Sequence, residues 1–217
     1  DPGVGRSPVP LAVAVGRLTP VKDFCRLVRV MAGVRDRVPD LELVIVGEGY
    51  ERAAIEAQVA AVGGQDWVRL PGRISDEELL SLYRRSWLAV SASTREGWGM
   101  TLTEAAACGT PAVATDIAGH ADAIDDGRSG LLGRSDDELV EMATRVLTDP
   151  TTRSALRAGA LERAGELTWE ACALANFRVL ADDAVALAAV GGRRRRLPKH
   201  PRGVPTGAPR RRAGVGE

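Results

Sequence analysis

Short apolar runs alternate along the chain with segments whose apolar residues return every three or four positions. Leu11 to Val15 is the first run, apolar throughout and closed by Gly16. Thr19-Pro20 then reads as an N-cap followed by proline in the first helical turn. Phe24, Leu27, Val28, Met31, Val34 and Val38 follow at helical steps, and Pro39 stops that helix. The alternation continues with a strand over 41–46 ending at Gly47, a helix over 52–62 ending at Gly63-Gly64, and a strand over 67–70 before Pro71-Gly72. Ser75 and Glu78 have the spacing of a capping box and open a helix to about Arg85. Residues 87–92 and 111–115 read as a fourth and fifth strand, with Thr101 and Glu104 in capping-box spacing between them. A short sixth strand over 130–132, a helix capped by Ser135 with Glu138, and helices over 151–166 and 168–190 complete the series.

Strands that are apolar on both faces, each followed by a helix, imply a parallel sheet covered on both sides. The fold class expected is α/β, a doubly wound, Rossmann-like parallel sheet. In such sheets ligands sit beyond the carboxyl ends of the strands. Glycine and polar residues collect there at 16–17, 47–49, 72–73, 93–99 and 115–119. Five such loops on one rim suggest a large ligand lying across the sheet.

Composition sharpens the boundaries. Among 217 residues, 45% are hydrophobic and 27% charged, a globular balance; the 4% aromatic content leaves the core to Ala, Val and Leu. Three well-separated cysteines, Cys25, Cys108 and Cys172, indicate neither a disulfide framework nor a zinc site. No apolar run approaches a membrane span, and a reducing cytoplasm is the expected location. The net charge of zero hides a split. Nine of the 29 basic residues but one of the 29 acidic ones fall at 191–217, giving that tail +8 and the preceding 190 residues −8. Rich in Arg, Pro and Gly, the tail is expected to be disordered. Residues 1–10 read as a linker and 11–190 as one domain.

The richest segment runs from Ser93 to Ala105: it leaves a strand, turns through Gly97 and Gly99, and enters a helix. Glycines allow close backbone approach, and a helix start attracts an anion such as a phosphate. Glu96 and Glu104 flank this place, where carboxylates would repel phosphate but accept hydrogen bonds from hydroxyls. A ligand with phosphates in its middle and hydroxyls at both ends is implied, as in a nucleotide sugar. Against this stands a plain capping box at Thr101 and Glu104 with a solvated acid at 96. The surrounding string, E-G-W-G-M-T-L-T-E-A-A-A-C-G-T-P, favours the functional reading.

That string resembles the E-x7-E motif of family 4 of the glycosyltransferases, retaining enzymes of the GT-B fold. The similarity runs through Val13 to Leu18, Lys22, Gly47-Glu48-Gly49, Gly72-Arg73-Ile74-Ser75 and Asp126 to Leu132, to Thr168-Trp169-Glu170. The resemblance implies that Arg17 and Lys22 clamp the diphosphate, and that Glu104 holds the ribose hydroxyls. Glu96 would meet the transferred sugar, with the backbone of Gly97, Trp98, Gly99, Met100 and Thr101 lining its pocket, and Arg73-Ile74 would meet the nucleobase. The donor would be a UDP- or GDP-linked sugar and no other cofactor or metal is implied. Cations at a helix start oppose its dipole, which independently favours a role for Arg17 and Lys22 over a solvated first turn.

The resemblance covers only the donor-binding half of a GT-B enzyme, so an acceptor domain or subunit is an expected partner. The alternative is a nucleotide-sugar-binding module without turnover. Gly47-x-Gly49 alone is a weak dinucleotide signal, since the third glycine is lacking. His120 reads as an incidental loop histidine and Cys108 as a buried spacer. Asp122 stands where the family usually has Glu, and Gly133-Arg134 replaces its V-x-P. The basic tail reads first as a solvated end; the alternative is weak contact with the inner face of an anionic membrane, and nucleic acid is not an expected partner.

Overall fold

In the computed structural model, residues 5–189 are described; the basic tail and its expected disorder lie outside them. Six strands form one parallel sheet in the order β3-β2-β1-β4-β5-β6. They are β1 (Leu11–Val15), β2 (Glu42–Val46), β3 (Val68–Gly72), β4 (Leu88–Ser91), β5 (Ala112–Thr115) and β6 (Gly130–Gly133). The helices are α1 (Phe24–Arg35), α2 (Arg52–Ala61), α3 (Asp76–Arg85), α4 (Met100–Ala107), α5 (Ala118–Ala123), α6 (Asp136–Thr148), α7 (Pro150–Glu166) and α8 (Trp169–Ala189). The expected doubly wound sheet is therefore present, with its strands within one or two residues of the expected positions.

Alternation along each strand divides the core in two. Ala12, Ala14, Leu43, Ile45, Leu88 and Val90 pack on one face with Leu27, Met31 and Val34 of α1, Ile55 of α2 and Leu139 and Val146 of α6. Val13, Ala89, Ala112 and Ala114 pack on the other with Tyr83 of α3, Leu102 and Ala105 of α4 and Ala123 of α5. Burying one Leu, Ile or Val side chain contributes roughly 1.5–3 kcal/mol. Small residues on the second face let α4 come close to the sheet, which matters because α4 carries the candidate site.

Helix starts account for the main differences from expectation. Thr19 caps only a 3-10 turn, Pro20–Lys22, and makes no side-chain cap bond. The true N-cap of α1 is Asp23, held at φ 44 with its carboxylate accepting from the Arg26 amide at 3.1 Å. Pro20 imposes the turn and Asp23 restarts the chain in a new direction. The Ser75/Glu78 capping box is complete. At α6, Ser135 accepts from the Glu138 amide, but the Glu138 carboxylate takes the Arg134 amide instead. Thr101 is not a cap at all: α4 starts from Gly99, and Thr101 lies inside its first turn. Helix α5 was not expected; six residues are too few to display a helical period.

Residues 6 and 7, expected to be linker, are fastened to the amino edge of the sheet. Arg6 donates to the Ser86 and Gly109 carbonyls and to Thr110 Oγ1, and the Ser7 amide donates to the Arg85 carbonyl at 2.9 Å. The compact unit closes at Cys172, within α8. The remainder of α8 belongs to a second unit, and Phe177, Leu180 and Leu187 on it are about 70% exposed. Among the described residues no helix is long and apolar enough to cross a membrane.

Candidate functional site

Sheet order reverses between β1 and β4: the chain builds β1, β2 and β3 outward, then returns to place β4 on the other side of β1. The loops leaving these two strands diverge there and leave a crevice. Their backbones touch through the Thr94 amide, which donates to the Val21 carbonyl at 2.8 Å. Lys22 Nζ and Glu96 Oε1 form an ion pair across the same gap. Glu96 also accepts from Ser93 Oγ at 2.9 Å.

Two hollows open on this rim. One, of about 410 Å³, is lined by Arg17, Thr19, Lys22, Arg95, Glu96 and Gly97. The other, of about 350 Å³, is lined by Gly16, Arg17, Gly47, Glu48, Arg73 and Ile74, with Asp76 at the start of α3. Arg17 belongs to both, and is exposed between them. The arrangement offers one cation common to both hollows, a lysine–glutamate pair on one side, and an arginine with an apolar neighbour on the other. A further hollow of about 340 Å³, at Arg69 and Arg85, is no larger than these two and lies against the β3 and α3 flanks.

Glycines make the rim possible. A Cβ on Gly47, at φ +143, would lie 1.9 Å from the Gly16 carbonyl oxygen. One on Gly119 would lie 2.3 Å from that of Glu96. Gly47 thus serves contact between two loops, and Gly119 lets the Glu96 backbone settle on α5.

The four side chains expected to converge do so in part. Arg17, Lys22 and Glu96 share a hollow; Arg73 and Ile74 join Arg17 in the adjoining one. Glu104 lines neither, and its Oε2 accepts from Tyr83 Oη at 3.1 Å. Burial, followed by the neighbouring Glu104 charge, raises the Tyr83 pKa well above the phenol range, so the phenol keeps its donor hydrogen. Trp98, Met100 and Thr101 follow at the α4 start, with Trp98 and Met100 exposed. Gly99 is buried, its amide bonded to the Gly119 carbonyl at 3.0 Å. The Met100, Leu102 and Thr103 amides donate to the Trp98 and Gly99 carbonyls at 2.9–3.0 Å. Much of the helix start expected to receive a phosphate is therefore closed on itself, and the cationic side chains carry the positive potential.

His120 is the residue that sequence reading underrated. It is 1% exposed; its Nδ1 faces the Thr115 carbonyl at 2.9 Å and its Nε2 faces Ser91 Oγ at 3.2 Å. Burial holds its pKa below the ordinary value, opposed by the Thr115 carbonyl and Glu96. One signal was available: Ser91 and Ser93 are two apart at a strand end, and so face the same way.

The family model described as glycosyl transferases group 1 matches residues 6–163, most of the chain. The chain belongs to this family. A D-inositol 3-phosphate glycosyltransferase of Kribbella flavida is 32% identical over 198 residues, covering 85% of this chain and 46% of the relative. That of Frankia alni is 35% identical over 179 residues, covering 77% and 44%. The sucrose-phosphate synthase of Thermosynechococcus elongatus superposes with a TM-score of 0.70 at 30% identity, covering 82% of this chain and 46% of that one. The pneumococcal O-GlcNAc transferase GtfA, solved with UDP and GlcNAc, gives 0.71 at 26% identity, covering 85% and 37%. This group 1 chain has the Rossmann-like fold of GT-B glycosyltransferase domains and spans less than half the length of these relatives.

Proposed function

We propose that this chain is the donor-binding domain of a retaining, family 4 type glycosyltransferase, moving a hexosyl group from a nucleotide diphosphate sugar to an acceptor hydroxyl. The observation that carries the reading is Arg17, shared by two adjoining hollows at the switch point of the sheet. A diphosphate seated there has one nucleoside side and one sugar side. Arg73 and Ile74 lie on the nucleoside side; Glu96 and Gly97 lie on the sugar side, with Lys22 beside them. Glu104 reaches the ribose only by turning from Tyr83. UDP is the nucleotide of first choice, since GtfA of similar fold was solved with it.

In this reading Arg17 and Lys22 neutralise the charge that grows on the leaving diphosphate, which is the larger part of such catalysis. Lys22 has to be shared between Glu96 and the phosphates, which keeps that carboxylate oriented until the donor arrives. Glu96 accepts hydrogen bonds from sugar hydroxyls, and the departing diphosphate takes the acceptor's proton on the same face. A second α/β domain supplies the acceptor site.

Calorimetric titration of the chain with UDP, GDP, UDP-glucose and uridine tests this. UDP or GDP is expected to bind. Arg17→Ala removes a charge-assisted contact worth about 1.5–3 kcal/mol, so diphosphate affinity is expected to fall roughly 10- to 100-fold while uridine changes little. Absence of any diphosphate binding at millimolar ligand, or equal loss for UDP and uridine, overturns the assignment.

A further inference from the structure

Behind Glu96 a chain of polar groups runs into the interior. Ser93 Oγ lies 2.9 Å from Glu96 Oε1, Ser91 Oγ 3.1 Å from Ser93 Oγ, and His120 Nε2 3.2 Å from Ser91 Oγ. The far side of the ring ends at the Thr115 carbonyl, 2.9 Å from Nδ1. Thr115 Oγ1, also 3.2 Å from Nδ1, spends its own hydrogen on the Ser93 carbonyl at 2.6 Å. Nδ1 therefore faces only acceptors and has to carry a hydrogen.

Four contacts along this line need one hydrogen each. With neutral imidazole and ionised Glu96 there are three, on Nδ1, Ser91 and Ser93, so one contact is left with two lone pairs facing. One more proton completes the line, in either of two ways. Held on Nε2, it makes imidazolium: Nε2 donates to Ser91, Ser91 to Ser93, and Ser93 to the carboxylate. Passed along, it leaves Nε2 for Ser91 Oγ while Ser91 gives its own to Ser93 and Ser93 gives its own to Glu96 Oε1. The products are neutral imidazole and a carboxylic acid, with every contact still filled.

We propose that His120 is a positioning residue for Glu96, acting through Ser91 and Ser93 and sharing one proton with that carboxylate. Whether that carboxylate then grips a donor sugar rests on the reading above; the shared proton does not. The charged groups acting on the ring are Glu96 from the loop after β4 and Lys22 from the loop after β1. β5 presents Thr115, and the start of α4 presents Gly99, neither of them titratable. Burial disfavours imidazolium, so the proton is taken up against it, drawn by the Thr115 carbonyl and then by Glu96. When Lys22 turns to another anion, Glu96 loses its neutralising partner and that pull strengthens.

The test is a nitrogen-15 NMR titration of the imidazole rings in the full chain, with His120→Asn to assign the His120 signal. The neutral ring is expected as the Nδ1–H form. Its titration midpoint is expected to move down in Ser93→Ala, where the carboxylate remains but the line is cut, and in Glu96→Gln. Ser93→Thr, which keeps the hydroxyl, is expected to restore it. An unmoved midpoint in Ser93→Ala, equal shifts in Ser93→Ala and Ser93→Thr, or an Nε2–H neutral ring overturns the proposal. In parallel, Ser93→Ala is expected to weaken UDP-glucose roughly tenfold, as one lost charge-assisted bond would, and UDP little. Failure of UDP to bind at all would count against the donor reading, with the NMR result standing by itself.

Discussion

Glu96 answers to three demands from three directions: Lys22 from the loop after β1, Ser93 from its own loop, and Gly119 beneath its backbone. Ser93 is a near neighbour in sequence, but Lys22 and Gly119 are not revealed by periodicity, because they belong to other strand-to-helix crossings. The pair of carboxylates was legible as a string, yet only one of them enters the hollow. His120 shows the same limit from the other side. A lone histidine has no pattern, and its burial is a property of the assembled loops. That burial has a consequence for stability. An unfolded chain protonates histidine near pH 6.5, whereas the folded ring resists until lower pH. The folded state then binds fewer protons than the unfolded one, so stability is lost as pH falls below that value. Urea-unfolding free energies are expected to decline between about pH 7 and 5. His120→Gln should flatten the decline; parallel profiles in the two proteins would refute it.

Elements were the most legible scale, and their ends the least. Apolar runs of four or five residues located the strands because both faces of a parallel sheet are covered. The complete capping box at Ser75 was readable because both partners lie within one turn. The start of α1 was not, since Thr19-Pro20 has the right chemistry one turn too early. Asp23 is cap and left-handed residue together. Asp23→Ala loses the cap and keeps the unfavourable backbone, and is expected to cost about 1–2 kcal/mol. Asp23→Gly loses the cap but relieves the backbone, and should cost only a few tenths of a kcal/mol. Denaturant unfolding of the two variants distinguishes them; equal losses would show that the backbone conformation carries no penalty.

At the scale of the whole molecule, the two edges of the sheet do different work. The carboxyl edge carries the hollows. The amino edge is closed by Arg6, held among carbonyls and beside Arg157, its pKa lowered to about 10 chiefly by burial and then by that neighbour. Arg153 closes it further, its guanidinium lying 4.1 Å from the Trp87 ring centre. Arg6→Ala strips buried carbonyls of their donor and is expected to cost about 2–3 kcal/mol in stability. UDP affinity, measured at a temperature where the variant is folded, should stay within about twofold of wild type, under 0.5 kcal/mol. A parallel loss of affinity would mean that the two edges are coupled.

Local order sufficed for much of this protein. Apolar runs, helical steps, prolines and glycines determine the alternation of strand and helix, and alternation in turn demands a covered parallel sheet. The string around Glu96 and Glu104 also carried the resemblance to GT-B glycosyltransferases, because its residues are contiguous. Tertiary structure decided what contiguity cannot express. Winding outward from β1 and returning at β4 opens the crevice and sets Arg17 between two hollows. The same winding pairs Lys22 with Glu96, turns Glu104 to Tyr83 and buries His120 behind two serines. Those outcomes depend on how far loops from separate crossings approach one another, a distance fixed by packing on the sheet and by glycines that leave no Cβ in the way.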